Sequence, residues 1–140
     1  MRRLYLVSCV SQKRPYAAPA QELYISPLFR KARAYVLKSG SPWFILSAEH
    51  GLVNPDTILA PYEKTLNTMN ANDRREWSRK VRTQMETVLP EADKVVLLAG
   101  KKYREHLEPW LRSRYGIVRV PMEGLRIGKQ LQWLSENEPN

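Results

Sequence analysis

Asp93-Lys-Val-Val-Leu-Leu-Ala-Gly100 is the stretch that decides the fold. Five apolar residues run from Val95 to Ala99 without a polar interruption, and Gly100 ends them. A strand covered on both faces reads this way, whereas a half-exposed strand alternates. Outward on the C-terminal side, Tyr103, Leu107, Trp110 and Leu111 recur at helical spacing over residues 101–115, and Gly116 stops them. Residues 117–120 then read as a further strand closed by Pro121, and residues 128–135 as a last helix with Leu131 and Leu134 inward. On the N-terminal side, Trp77, Val81, Met85, Val88 and Leu89 form one stripe of a helix over residues 73–89, capped by Asn70 or Asn72 and ended by Pro90.

The first half repeats the alternation. Residues 4–7 are apolar and β-compatible. Ser26-Pro27 is a helix start, with serine as N-cap and proline at the first helical position. Leu28, Phe29, Ala32, Tyr35 and Val36 give that helix its apolar face, and Gly40 suits a left-handed C-terminal residue. Residues 42–46 form the next strand, and residues 20–24 are a short helical turn. The order is β-α-β-loop-α-β-α-β-α. Strands alternating with helices predict an α/β fold: a single three-layer domain over residues 1–140, with a central four-stranded, mainly parallel sheet and helices on both faces.

One hundred and forty residues suit one domain with one core. No apolar run is long enough to span a bilayer, so no membrane partner is expected. Met1-Arg-Arg-Leu-Tyr-Leu-Val-Ser-Cys9 has too short an apolar part for a secretory signal, so a cytoplasmic location is expected. Cys9 is the only cysteine and His50 and His106 the only histidines, which excludes an internal disulfide and argues against a metal site. No cofactor is expected. The net charge is +9, and residues 1–40 hold eight basic side chains against one acid, Glu22. That bias points to a polyanionic partner, nucleic acid and DNA first. A solubilising surface is the plainer alternative.

In a parallel sheet the ligand site lies beyond the carboxyl ends of the strands, where strand order reverses. All four strand exits carry chemistry. After the first, Ser8-Cys-Val-Ser-Gln-Lys13 offers hydroxyls, backbone N–H groups and a cation, without the glycine pattern of a phosphate-binding P-loop. Cys9 is either a nucleophile facing His50 or a small buried thiol. After the second, Ser47 to Thr65 holds Glu49, His50, Asp56, Tyr62, Glu63 and Lys64, stiffened by Pro55 and Pro61. A polar loop of this length is functional or disordered, and its interleaved Leu52, Val53, Ile58 and Leu59 favour an ordered loop packed on the body.

Cations mark the remaining exits. Lys101, Lys102 and Arg104 flank Tyr103 after the third strand, and Arg126 and Lys129 follow the fourth beside Gly124 and Gly128. Arg30 and Arg33, early in the 27–40 helix, reach a phosphate backbone or form a solvated basic face. The candidate carboxylates are Glu49, Asp56, Glu63 and Glu123. One of them would stabilise an oxocarbenium-like cation or position water. Asp56, held after Pro55, stands first and Glu63 second. The alternatives are an Asx-turn for Asp56 and an ion pair with Lys64 for Glu63. His50 is an acid, a base contact or a packing residue. Tyr62 is a stacking platform for a base or a lid on the core.

The segments Leu6 to Lys13, Leu46-Ser47-x-x-x-Gly51-Leu52-x-x-Pro55, Pro61-Tyr62 and Ala99-x-x-x-Tyr103 resemble the bacterial peroxide-stress DNA-binding (YaaA-type) family. They more closely resemble a smaller bacterial and phage domain family with Ser-Cys…Lys, Leu-Ser-Ala-x-His/Tyr-Gly-Leu and Pro-Tyr-Asp/Glu-x-Thr-Leu segments. Related domains occur in archaeosine-synthesis enzymes, with an architecture similar to the uracil-DNA glycosylase α/β fold. The resemblance implies DNA handling and base excision, with Ser47, Gly51, Leu52, Pro55, Pro61, Tyr62, Glu63 and Thr65 at matching positions. Met122-Glu123-Gly124 stands where uracil-DNA glycosylases place a histidine, so the acid would be another residue or none.

The expectation is a DNA N-glycosylase acting on a flipped, damaged or modified base. The alternatives are a DNA-binding stress or phage-related module without catalysis, and a small-molecule nucleotide hydrolase. Asp56, Glu63 and His50 would serve catalysis. Ser8, Cys9, Ser11, Ser47, Gly51, Tyr62, Thr65 and Tyr103 would contact the substrate. Lys13, Arg30, Arg33, Lys101, Arg126 and Lys129 would hold DNA phosphates.

Overall fold

The computed structural model describes residues 1–8 and 12–139. Strand β1 (Arg3–Ser8) pairs in parallel with β3 (Trp43–Ser47) on one side and β6 (Lys94–Leu98) on the other. Strand β7 (Ile117–Arg119) extends the sheet in parallel beyond β6. The α/β class is as expected, but the sheet has five strands. The fifth, β4 (Gly51–Val53), pairs antiparallel with β3, giving the order β4-β3-β1-β6-β7. It comes from the segment expected to be loop: Gly51 reverses the chain and sends Leu52 and Val53 back along their own strand. A second small sheet pairs β2 (Ala18–Pro19) with β5 (Ile58–Leu59).

Helix α1 (Ala20–Leu23) follows β2, and α2 (Pro27–Ser39) leads from it towards β3. Ser26 Oγ accepts from the N–H of Phe29, and Gly40 closes α2 at φ 67°. Helix α3 (Ala71–Val88) starts at Asn70, whose side chain accepts from the N–H of Asp73. This settles the choice between the two asparagines. The single helix expected over 101–115 is two, α4 (Lys101–Arg104) and α5 (Glu108–Arg114). Pro109 is the reason: within one continuous helix it would donate no bond to Glu105 and its ring would strike that carbonyl. Helix α6 (Ile127–Glu136) completes the chain.

Alternate residues of β1 serve two apolar clusters, as a pleated strand requires. Leu4 and Leu6 pack with Trp77, Val81 and Met85 of α3 and with Leu107 and Leu111. Tyr5 and Val7 pack with Phe29, Ala32 and Val36 of α2 and with Leu134 of α6. Val88 departs from the expected stripe and is half exposed at the end of α3. Among the described residues, no helix is long and apolar enough to cross a membrane.

The chain leaves β1 towards β3 on one flank and later runs from β6 to β7 on the other. Strand order therefore reverses between β1 and β6, and the crevice at their carboxyl ends is the topological switch point.

Candidate functional site

A cleft of ≈ 270 Å³ occupies that switch point. Ser8 ends β1 in its wall, and Ala99, Gly100 and Lys101 follow β6 into it. Leu28, Phe29 and Ala32 of α2 face Met122 and Leu125 after β7, which makes two walls apolar. Arg104, Glu123 and Gln130 supply polar groups. Arg104 is nearly buried and held in place: its Nε donates to the Ala99 carbonyl at 3.2 Å and its Nη1 to Glu108 at 2.7 Å. Glu123 lies 3.8 Å from the same Nη1. A single carboxylate, Glu123, thus stands at the rim beside two cations, Lys101 and Arg104, between apolar walls.

The segment after β3 folds back to the same edge. Ser47 is fully buried, and its Oγ accepts from the N–H of His50 at 3.1 Å. Gly51 follows at φ 74°, in the left-handed region that glycine occupies at little cost. Gln84 of α3 clamps this turn, accepting from the N–H of Leu52 at 2.8 Å and donating to the His50 carbonyl at 3.1 Å. The chain then makes a turn at Asn54–Thr57 and pairs β5 with β2. It returns at Pro61-Tyr62. The Tyr62 hydroxyl lies 2.7 Å from Ser47 Oγ and 2.6 Å from the hydroxyl of Tyr24. Around the ring stand Lys13, its Nζ 4.4 Å from the centroid, and His50, edge to face at 5.4 Å. A second, more open cleft of ≈ 570 Å³ lies here, lined by Lys13, Arg14, Tyr62, Glu63, Lys64 and Thr65 among others. Ser8 and Lys13, the two ends of the first strand's exit, therefore line different clefts.

The expected site residues divide accordingly. Ser8 and Lys101 line the switch-point cleft. Lys13, Tyr62, Glu63 and Thr65 line the second. Thr65 also caps the short 3-10 turn Leu66–Thr68 through the N–H of Asn67. Glu63 enters none of the described ion pairs. Ser47 and His50 flank Tyr62 from the strand side, and Gly51 shapes the turn under Gln84. Tyr103 is buried against Trp77, centroids 5.7 Å apart, and so belongs to the core under α3. Arg30 and Arg33 share a groove with Arg14, Gln21 and Tyr24. Arg126, at the N-cap of α6, and Lys129 in its first turn are exposed at the β7 exit. Cys9 and Ser11 lie outside the described residues.

Asp56 stands apart. Its N–H donates to the Asn54 side chain at 2.9 Å, an Asx-turn, and its Oδ1 accepts from Gln21 at 2.8 Å. It lines none of the clefts described. The turn reading of Asn54-Pro-Asp is the one the geometry displays. Three contributors were not singled out from the sequence. Tyr24 and Gln84 bond partners far away in the chain, and no local pattern marks such residues. Arg104 was one cation among three, and only burial distinguishes it. Among the described residues, no three His, Cys, Asp or Glu side chains gather as metal ligands would.

Fold and clefts together define a small α/β protein whose concave, cation-rich edge lies at the carboxyl ends of a mainly parallel sheet. The chain belongs to a family of unknown function, DUF6884, whose pattern matches residues 4–136. The uncharacterized protein YfjM of Bacillus subtilis (strain 168) is 32% identical to it, over 96% of this chain and 94% of its own. No solved structure matches the chain.

Proposed function

We propose that this protein binds DNA along its basic carboxyl edge and hydrolyses the N-glycosidic bond of a damaged or modified base drawn into the switch-point cleft. The reading takes the fold as a three-layer sandwich acting in the cytoplasm. The lining of the cleft carries it. Phe29, Met122 and Leu125 suit the faces of a planar ring, Lys101 and Arg104 suit phosphate or a developing anion, and Glu123 is the one carboxylate at its rim. A volume near 270 Å³ lies at the small end for ligand pockets and suits one nucleoside unit better than a larger ligand. Duplex DNA would have to release that unit from its stack. Glu123 would then support the oxocarbenium-like cation or the attacking water. Tyr62 would offer its ring to a neighbouring base, with Lys13 beside it.

A second reading, a DNA-binding module without catalysis, draws on the position of Asp56. The carboxylate best held by its local sequence is spent in a turn away from the clefts. Incubating the purified protein with oligonucleotides bearing different modified bases, and scoring abasic sites, separates the two. On the glycosylase reading, Glu123→Gln abolishes base release and leaves DNA affinity intact, while Asp56→Asn changes neither. Release that survives both Glu123→Gln and Glu63→Gln would overturn the carboxylate assignment. No release from any substrate, with salt-sensitive binding, leaves the module. Salt-insensitive binding counts against both, because phosphate contacts release counterions.

A further inference from the structure

Arg3, Tyr5, Lys94, Val96 and Arg119 share one side of the sheet. The register places Arg3 beside Lys94, Tyr5 beside Val96, and Val96 beside Arg119, and residues two apart on a strand share a face. With Tyr35 of α2 and Trp133 of α6 they line a pocket of ≈ 250 Å³. Three cations line it and no carboxylate does. Like charges on adjacent strands repel, so this grouping opposes folding unless something of opposite charge joins it.

The chain supplies acids to two of its other recessed arginines and neutral acceptors to two more, Arg14 and Arg33. Arg74 has Glu105 at 2.9 Å, and Arg104 has Glu108 at 2.7 Å. None of the described ion pairs involves Arg3, Lys94 or Arg119. Arg3 Nη1 is buried and has no hydrogen-bond partner. A guanidinium N–H out of water and without an acceptor is costly, and an acceptor entering the pocket removes that cost. The Tyr35 phenol adds a donor. Burial raises its pKa, neighbouring Tyr5 adds to the rise, and Arg3 only partly opposes it, so the phenol keeps its proton at neutral pH.

We propose that this pocket binds the phosphate group of a small phosphorylated molecule, with Arg3, Lys94 and Arg119 as its ligands. Two guanidinium forks and an ammonium match a multiply charged tetrahedral oxyanion better than a single carboxylate. A small ligand fits better than a DNA backbone because Arg3 is recessed within a concave wall. The site is separate from the carboxyl edge. Arg3 begins β1 and Ser8 ends it, five residues or about 16 Å away along the strand. The inference does not rest on the glycosylase reading and stands if that reading fails.

The test is titration at fixed ionic strength with inorganic phosphate, pyrophosphate and AMP, followed by the indole N–H resonances. The expected result is saturable binding that moves the Trp133 signal and leaves Trp43, Trp77 and Trp110 in place. AMP binding more tightly than phosphate would identify a nucleotide as the source, and equal binding a free phosphate. Lys94→Gln and Arg119→Gln, both at the pocket mouth, should each weaken pyrophosphate binding about tenfold. Both should leave the ligand-free protein as stable as the parent or more so, since each removes an uncompensated charge. Absence of saturable binding by all three probes would overturn the proposal. So would pyrophosphate binding that is unchanged in both variants.

Discussion

Replacing Gly51 with alanine tests the turn that brings Ser47, His50 and Tyr62 together. Two costs are separable. The first is conformational: an alanine at φ 74° sits in the left-handed region, at about 1–2 kcal/mol. The second comes from α3. A Cβ at position 51 would collide with Gln84 Oε1 and lie 3.1 Å from the side-chain Cδ. The Gln84 side chain must swing away, losing its bonds to the Leu52 N–H and the His50 carbonyl. At about 1 kcal/mol each, that adds roughly 2 kcal/mol. Gly40 is the internal control, at φ 67° with nothing within 4 Å of the place a Cβ would take. Gly40→Ala should cost only the conformational term, so Gly51→Ala should be the more destabilising by about 2 kcal/mol in urea titrations of both. In a Gln84→Ala background the Gly51→Ala penalty should shrink to the Gly40 value, a coupling of about 2 kcal/mol in a double-mutant cycle. Equal penalties at the two glycines, or additive penalties at 51 and 84, would refute the reasoning.

Two further predictions concern polar pairs. Tyr62→Phe removes the hydroxyl between Ser47 and Tyr24 and should cost about 1–3 kcal/mol in urea, because it deprives buried hydroxyls of a partner. It keeps the ring beside Lys13, so on the proposed DNA-binding reading the affinity by fluorescence anisotropy should hold in Tyr62→Phe and fall in Tyr62→Leu; equal affinity in the two would remove the ring from the proposed interface. Glu105 is held below the usual glutamate range, chiefly by the hydrogen bond from Arg74, with burial working the other way. Its folded pKa is therefore depressed, and the stability it contributes is fully present above about pH 4.3 and lost as pH falls through the folded value. Glu105→Gln should melt below the parent at neutral pH and converge with it in acid; a constant gap down to about pH 2 would contradict the pairing.

The parallel strands were legible because burial on both sheet faces leaves an uninterrupted apolar run, as at Val95 to Ala99. Helix α2 was legible at both ends because Ser26, Pro27 and Gly40 act through local geometry. Two elements depart from the sequence pattern for opposite reasons. The apolar spacing from Tyr103 to Leu111 continues across a helix break, because Leu107 and Leu111 stay on the core side while Pro109 forces the chain to restart. Strand β4 has only three residues, too few for periodicity to declare itself, and its turn is held by Gln84, thirty-two positions along from Leu52. The site was legible as an edge. Its division into separate clefts was not, since Ser8 and Lys13 are five residues apart in sequence yet face different partners.

The loop between β3 and α3 contains the sharpest physical constraint on chemistry here. Its Asn54–Thr57 turn is pinned to α1 by backbone bonds: the Pro55 carbonyl accepts from Gln21 N–H at 2.9 Å and the Thr57 carbonyl from Ala20 N–H at 2.7 Å. Gln21 then fastens the Asp56 carboxylate itself, and Arg33 fastens Gln21 through its Oε1 at 3.0 Å. A carboxylate so tethered reaches the strand ends only if α1 and the turn come apart, so it serves the frame. Beyond β5 the chain is anchored differently. Tyr62 reaches Ser47 and Tyr24 through one hydroxyl, and Glu63 on its far side enters no described ion pair. The same sequence that locks Asp56 thus leaves Glu49, Glu63 and Glu123 as the candidate carboxylates that line clefts, Glu49 in a third cleft of ≈ 650 Å³ that it shares with Lys64 and Thr65.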